Sequence, residues 1–210
     1  MNKWILWLQI LFLALFFVLL FAGKPMLWLL LFVISFGGAF FFGRFYCGVI
    51  CPMNTLMRPV SWLGKKPGLK TNRVPAWLKS KWLSWSVLLF LAVVMILSRT
   101  VLMKDLPMLL VLLVVSVLFA LRYEEWVFHN HVCPFGTLLR ISGKNPVRST
   151  RVEEDRCVAC KKCEVVCPSA AIVVDKQRNT AEIDYSICLQ CAKCITVCPV
   201  SALSYGKVQR

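Results

Sequence analysis

The stretch Arg156–Pro168, RCVACKKCEVVCP, places cysteines at 157, 160, 163 and 167 and follows the last with a proline. The arrangement returns at Cys188, Cys191, Cys194 and Cys198, followed by Pro199. Each copy reads C-x2-C-x2-C-x3-C-P, and corresponding positions lie 31 residues apart. Zinc usually takes two well-separated C-x2-C pairs, so three cysteines in one tight run argue against it. Disulfides are disfavoured in a reducing cytoplasm. The spacing suits an iron–sulfur cubane, because three thiolates of one short loop can grip three of its irons.

Between the two loops, Ala171–Val174 and Thr180–Asp184 read as short strands around a polar turn at 175–179, a hairpin signal. With all eight cysteines in register, residues 150–207 resemble the bacterial two-cluster ferredoxin domain. In such domains the fourth cysteine of each run ligates the other cluster. The resemblance therefore implies Cys157, Cys160, Cys163 and Cys198 for one [4Fe-4S] cluster, and Cys188, Cys191, Cys194 and Cys167 for the other. Lys161, Lys162 and Lys193 lie between ligands and read as a solvated face, or as a face that docks an acidic partner.

The rest of the chain belongs to a different solvent. Of the 210 residues 59% are hydrophobic and only 17% charged, too apolar for an ordinary soluble domain. No acid precedes Asp105, while the last 60 residues hold seven of the ten acids and eight of the eleven cysteines. Apolar runs at 4–22, 26–42, 82–98 and 106–121 read as membrane spans. Tyr123 and Trp126 suit an interfacial belt at the end of the last. Lys3 before the first run would also fit a signal peptide, but that run lacks a convincing small-residue cleavage site and the second follows at once.

The loop 44–81 carries Arg44, Arg58, Lys65, Lys66, Lys70, Arg73, Lys79 and Lys81 with no acid, whereas the opposite face shows only Lys24, Arg99 and Lys104. Basic loops stay cytoplasmic, so both termini are expected in the cytoplasm. The net charge of +15 is then met by anionic headgroups, and no nucleic-acid partner is implied. Ala76–Ser84, with Trp77 and Trp82, reads as a helix lying on the membrane surface.

The membrane half repeats itself. FYCGVICPMNTLMR at 45–58 aligns with VFHNHVCPFGTLLR at 127–140, sharing the Cys-Pro pair, Thr-Leu and the closing Arg. Each copy follows a helical hairpin, so this half reads as a parallel duplication. The first copy holds Cys47-x3-Cys51-Pro52; the second has His129 in place of the leading cysteine, before Cys133 and Pro134. Cys47, Cys51, Cys133 and His129 are candidate ligands of an additional metal centre, since histidine can replace cysteine on iron. Buried structural thiols are the alternative. Glu124, Glu125, His129 and His131 form a candidate proton-accepting group, as the spans contain no acid.

Taken together, C-x3-C-P motifs after membrane helices and a closing two-cluster domain resemble the membrane-bound polyferredoxins of the NapH and NosR type. His129 departs from two intact cysteine pairs, and no large extracytoplasmic flavin-bearing domain of the NosR kind is expected. The resemblance implies a bacterial or archaeal cytoplasmic-membrane protein that is multi-pass. Its fold is expected to be four transmembrane α-helices in two duplicated hairpins, residues 1–145, plus a small α+β two-[4Fe-4S] ferredoxin-like domain, 146–210. It further implies a redox component of a multisubunit complex, passing electrons between the quinone pool and a partner reductase. An accessory donor for assembly or reactivation of a metalloenzyme is the second reading. With no nucleotide fingerprint and no haem C-x-x-C-H, the chain reads as an electron-transfer, quinol-dehydrogenase-like subunit rather than a complete enzyme.

Overall fold

The computed structural model describes residues 3–63, 74–100 and 108–208. The segment 64–73, with Lys65, Lys66, Lys70 and Arg73, lies outside the described residues, as does 101–107, with Lys104 and the start of the fourth apolar run. In chain order the helices are α1 Lys3–Phe21, α2 Pro25–Phe42, α3 Pro52–Leu63, α4 Lys81–Thr100, α5 Met108–Arg122, α6 Glu125–Val127, α7 Pro134–Ser142, α8 Lys162–Val165 and α9 Lys193–Val197. The strands are β1 Arg148–Val152, β2 Ile172–Asp175, β3 Thr180–Ile183 and β4 Leu203–Lys207. Two compact units result: Met1–Cys51 joined by Leu138–Arg210, and Pro52–Thr137.

In the first unit, α1 and α2 fill the first two apolar runs and are both long and apolar enough to cross a bilayer. Core helices of a water-soluble protein are mostly covered, yet only 11% and 22% of these windows are buried. Pro25 starts α2, where its missing N–H costs nothing. Phe16 and Trp28 pack edge-to-face at 5.1 Å to hold the hairpin closed. Two buried polar ties hold the hairpin to the turn at 46–50: Gln9 Nε2 donates to Gly48 O at 2.6 Å, and Trp28 Nε1 donates to Tyr46 Oη at 2.9 Å. Tyr46→Phe removes the second acceptor, which should lower stability by about 1–3 kcal/mol. Thermal unfolding followed by tryptophan emission measures this.

Each Cys-Pro phrase has the same local form. Tyr46–Ile50 and Phe128–Val132 are single π-helical turns. They are closed by Cys51 N–H donating to Tyr46 O and Cys133 N–H donating to Phe128 O, both at 2.8 Å. A residue before proline is pushed out of the helical region, and Cys51 and Cys133 are accordingly extended, with ψ of 119° and 116°. Pro52 and Pro134 then open α3 and α7. The phrase is thus a hinge that ends one helix and redirects the chain into the next, and the duplication seen in the sequence extends to the backbone.

In the second unit, α3 packs along α5, and α4 packs on the second π-turn, where Ser84 Oγ donates to His131 O at 3.0 Å. The apolar stretches here, Trp82–Ser98 and Met108–Arg122, are shorter than those of the first hairpin. The expected surface-lying helix entry Ala76–Ser84 is divided: Ala76–Lys79 form a 3-10 turn, and residues 81–84 belong to the start of α4. Ser80 breaks it in an extended conformation, and its Oγ accepts the Trp82 N–H at 3.3 Å as α4 begins.

The C-terminal part of the first unit has two antiparallel strand pairs. β2 and β3 form the expected hairpin, with Ile172 opposite Ile183, and Asp175 Oδ1 accepts the Gln177 N–H to shape the turn. β1 pairs with β4, setting Val152 opposite Leu203 and Arg148 opposite Lys207. Ile172, Val174, Ala181 and Leu203 pack with Cys163 and Cys194 as the core. The cysteine loops are therefore part of the packing itself.

Candidate metal centres

The two cysteine loops are backbone copies of one another. Left-handed conformations, uncommon for residues with a Cβ, fall at Ala159, Lys161 and Ala170, and again at Gln190, Ala192 and Ser201, each 31 residues on. Such reversals turn successive N–H groups to the inside of a loop and make it receptive to anionic ligands. Two of these groups meet sulfur directly. Ala171 N–H donates to Cys167 Sγ at 3.2 Å, and Ala202 N–H donates to Cys198 Sγ at 3.3 Å, again at equivalent positions.

The chain crosses over between the loops. One pocket is lined by Cys157, Cys160, Cys163 and Cys198. A second is lined by Cys188, Cys191, Cys194 and Cys167. Among the described residues no three His, Cys, Asp or Glu side chains converge on one metal-ion position. A tetrahedral zinc site needs such convergence, whereas a cubane puts each thiolate on a different iron and holds the sulfurs apart. The donor set and its spread fit [4Fe-4S].

The surroundings of the two sets differ. Cys160 is exposed, with Val158 and Val200 exposed at the same cavity's rim, whereas Cys188, Cys191 and Cys194 are all buried. Burial pushes the Cys188 thiol up to about 12; Cys191 and Cys167 add to the rise, while the Gln190 backbone N–H and the Arg44 guanidinium oppose it. Burial likewise raises Cys194 and Cys163. Without metal these sulfurs hold protons, and loading the positive iron core displaces them.

Sequence reasoning missed the side chain that ties the second loop down. Gln190 Nε2 donates to Ser149 Oγ at 2.6 Å and its Oε1 accepts the Thr150 N–H at 3.3 Å, fastening the loop to β1. No motif marks that glutamine; its left-handed backbone shows only in the fold.

The remaining candidate ligands sit on the π-turns. Cys47 and Cys51 are buried in the first unit, with Arg44 Nη2 4.0 Å from Cys47 Sγ. His129 and Cys133 are buried in the second, where Cys133 Sγ accepts the Gly136 N–H at 3.4 Å. Glu125 is buried one helical turn before His129, and the His131 ring meets Trp126 edge-on at 5.9 Å.

Comparison with known proteins agrees with this reading of the cysteines. Residues 25–70 and 105–152, one segment in each copy of the duplication, match a 4Fe-4S binding domain, and residues 156–202 match a 4Fe-4S dicluster domain. An uncharacterized protein of Methanocaldococcus jannaschii is 31% identical over 141 residues, 66% of this chain and 56% of that one. The methylamine utilization ferredoxin-type protein MauN of Paracoccus denitrificans is 28% identical over 63% of this chain and 50% of its own length. The ferredoxin-type protein NapH of Haemophilus influenzae is 25% identical over 62% of this chain and 49% of its own. The chain thus spans about half the length of these relatives. No solved structure matches. Cysteine loops in duplicate, a dicluster domain, a twice-repeated 4Fe-4S segment and the likeness to NapH and MauN support a 4Fe-4S polyferredoxin of the NapH type.

Proposed function

We propose that the chain is a membrane-anchored electron relay between the quinone pool and a partner reductase. Residues 1–145 form its membrane part with four spans, and 146–210 its cytoplasmic ferredoxin part, both termini facing the cytoplasm. Cys157, Cys160, Cys163 and Cys198 hold one cluster; Cys188, Cys191, Cys194 and Cys167 hold the other. The observation that carries the reading is the pair of cavities, each lined by four cysteines drawn from both loops. When bound, a cubane supplies one-electron transfer without making or breaking bonds to the substrate.

The chain's own residues divide the remaining work. The exposed rim of Cys160 and Val158 supports hand-over at the first cavity, where a partner's redox centre can approach. Quinol oxidation also releases protons, and among the described residues α1, α2, α4 and α5 hold no Asp or Glu to receive them. His129, His131, Glu124 and Glu125 are the group proposed to do so, supported by the burial of Glu125, whose Oε2 has no hydrogen-bond partner among the described residues.

The test uses the full chain in native membranes, prepared anaerobically. A quinol analogue should reduce the clusters, seen as bleaching of visible absorbance. Replacing His129 and His131 together by alanine should slow this step by about 100-fold while dithionite still reduces the clusters at the normal rate. No reduction by quinol, together with isolation of the chain bound to an immature apo-enzyme, would transfer the assignment to metalloenzyme assembly. Iron counting on the same material addresses Cys47, Cys51, Cys133 and His129: about eight irons per chain match two cubanes alone, and an excess supports a further centre.

A further inference from the structure

Cluster potentials respond to nearby charge, to hydrogen bonds on sulfur and to water. At the second cavity the unusual feature is a cation away from water: Arg44 is 0% exposed. It stands just beyond α2. Gly43, at φ 66°, ends the helix in a left-handed conformation that favours glycine and turns the chain. The turn is pressed against the second cysteine loop. A Cβ on Gly43 would lie 2.9 Å from Gln190 Nε2, and one on Gly48 would run into the Leu189 carbonyl oxygen and lie 3.1 Å from Cys191 N. Gly143 closes the other side, where a Cβ would lie 3.3 Å from Arg44 N. Glycines at all three places let the turn close onto the loop that carries Cys188 and Cys191, and Arg44, its guanidinium 4.0 Å from Cys47 Sγ, is enclosed in that turn.

We infer that Arg44 sets the reduction potential of the cluster held by Cys167, Cys188, Cys191 and Cys194, raising it by stabilising the extra negative charge of the reduced state. The inference rests on the ligand sets proposed above. Four thiolates around a 2+ core carry a net charge of 2−; one electron takes the core to 1+ and the whole to 3−, with no bond made or broken at the cluster, while a quinol going to quinone releases two protons and supplies two electrons, one for each of the two clusters. A fixed cation favours the second state over the first. Its effect is large because burial removes the water that would screen it. The exposed Lys161 and Lys162 beside the first loop act through solvent and ions and do far less.

A further observation agrees. In the second copy of the duplication Trp126 stands in the place of Arg44 and Asn130 in the place of Gly48, so the buried cation and the close approach occur together in the first copy alone.

The test is an EPR-monitored redox titration of the full chain, purified anaerobically, as wild type, Arg44→Met and Arg44→Lys. Arg44→Met should lower one of the two one-electron steps by about 59 mV or more, a tenfold fall in that cluster's reduction equilibrium, and leave the other in place. Arg44→Lys keeps the charge and should stay nearer wild type. The assignment is overturned if neither step moves, if both move together, if Lys shifts the step as far as Met, or if both variants lose the second cluster's irons. A wild-type chain with clearly fewer than about eight irons would instead sink the ligand sets themselves.

Discussion

Cys198→Ala is expected to empty the first cysteine loop of its cluster and to leave the cluster of its own loop in place. Cys198 shares a cavity with Cys157, Cys160 and Cys163 and does not line the one formed by its nearer neighbours in sequence. A cubane short of one thiolate is open to solvent and oxidant at that iron, so iron should fall from about eight to about four per chain. Cys167→Ala is the mirror experiment and should empty the second loop. Which cluster remains can be read from the environments, because the first set is exposed at Cys160, whereas the second has Cys188, Cys191 and Cys194 buried and Cys167 half-buried. After Cys198→Ala the surviving cluster should therefore resist a water-soluble chelator. If it is stripped readily, each loop holds its own cluster and the crossed ligand sets are wrong.

The second large effect is expected from one methyl group. Gly48→Ala puts a Cβ onto the Leu189 carbonyl oxygen, 3.0 Å from that residue's carbonyl carbon and 3.1 Å from Cys191 N. Every neighbour is backbone, so no side-chain tip can move aside. Overpacking of this kind costs about 1–3 kcal/mol, and the rigid surroundings argue for the upper end. The matched control is Gly37→Ala, where nothing lies within 4 Å of the added atom and helix propensity favours alanine. Gly48→Ala should melt roughly 10 °C lower than wild type and release iron first from the second cavity, while Gly37→Ala melts at or above the wild-type temperature. Equal behaviour of the two variants would show that the Gly48 turn does not bear on the Leu189–Cys191 loop.

What could be read from residues alone was whatever repeats or runs locally. The β2–β3 hairpin and both apolar helices of the first hairpin come from local pattern and continuous hydrophobicity, and the structure agrees with each; the cysteine spacing was as plain, and the 4Fe-4S dicluster match falls on it. The β1–β4 pair was illegible. Its first strand, RSTRV, has no apolar alternation, and its partner lies some fifty residues away, so its pairing is a property of the closed domain. The π-turns escaped notice because they differ from α-helix by a single hydrogen-bond register. Gly48 carried a faint signal, a glycine within an otherwise bulky apolar phrase, but what it makes room for is far off in the chain. Arg44 was legible only as one positive charge among the eight of its loop. Its burial depends on packing that no local pattern encodes.

The proposed exchange of a fourth ligand between loops has a consequence for when the protein matures. A nascent chain that has emerged as far as Asp184 already displays Cys157, Cys160, Cys163 and Cys167, yet the first cavity is still missing Cys198 and the second has only Cys167 in place. The first cannot close before Cys198 has been delivered, nor the second before Cys194, and each needs the two loops to have met. On these ligand sets both cubes are received late, by a chain whose apolar helices were made long before.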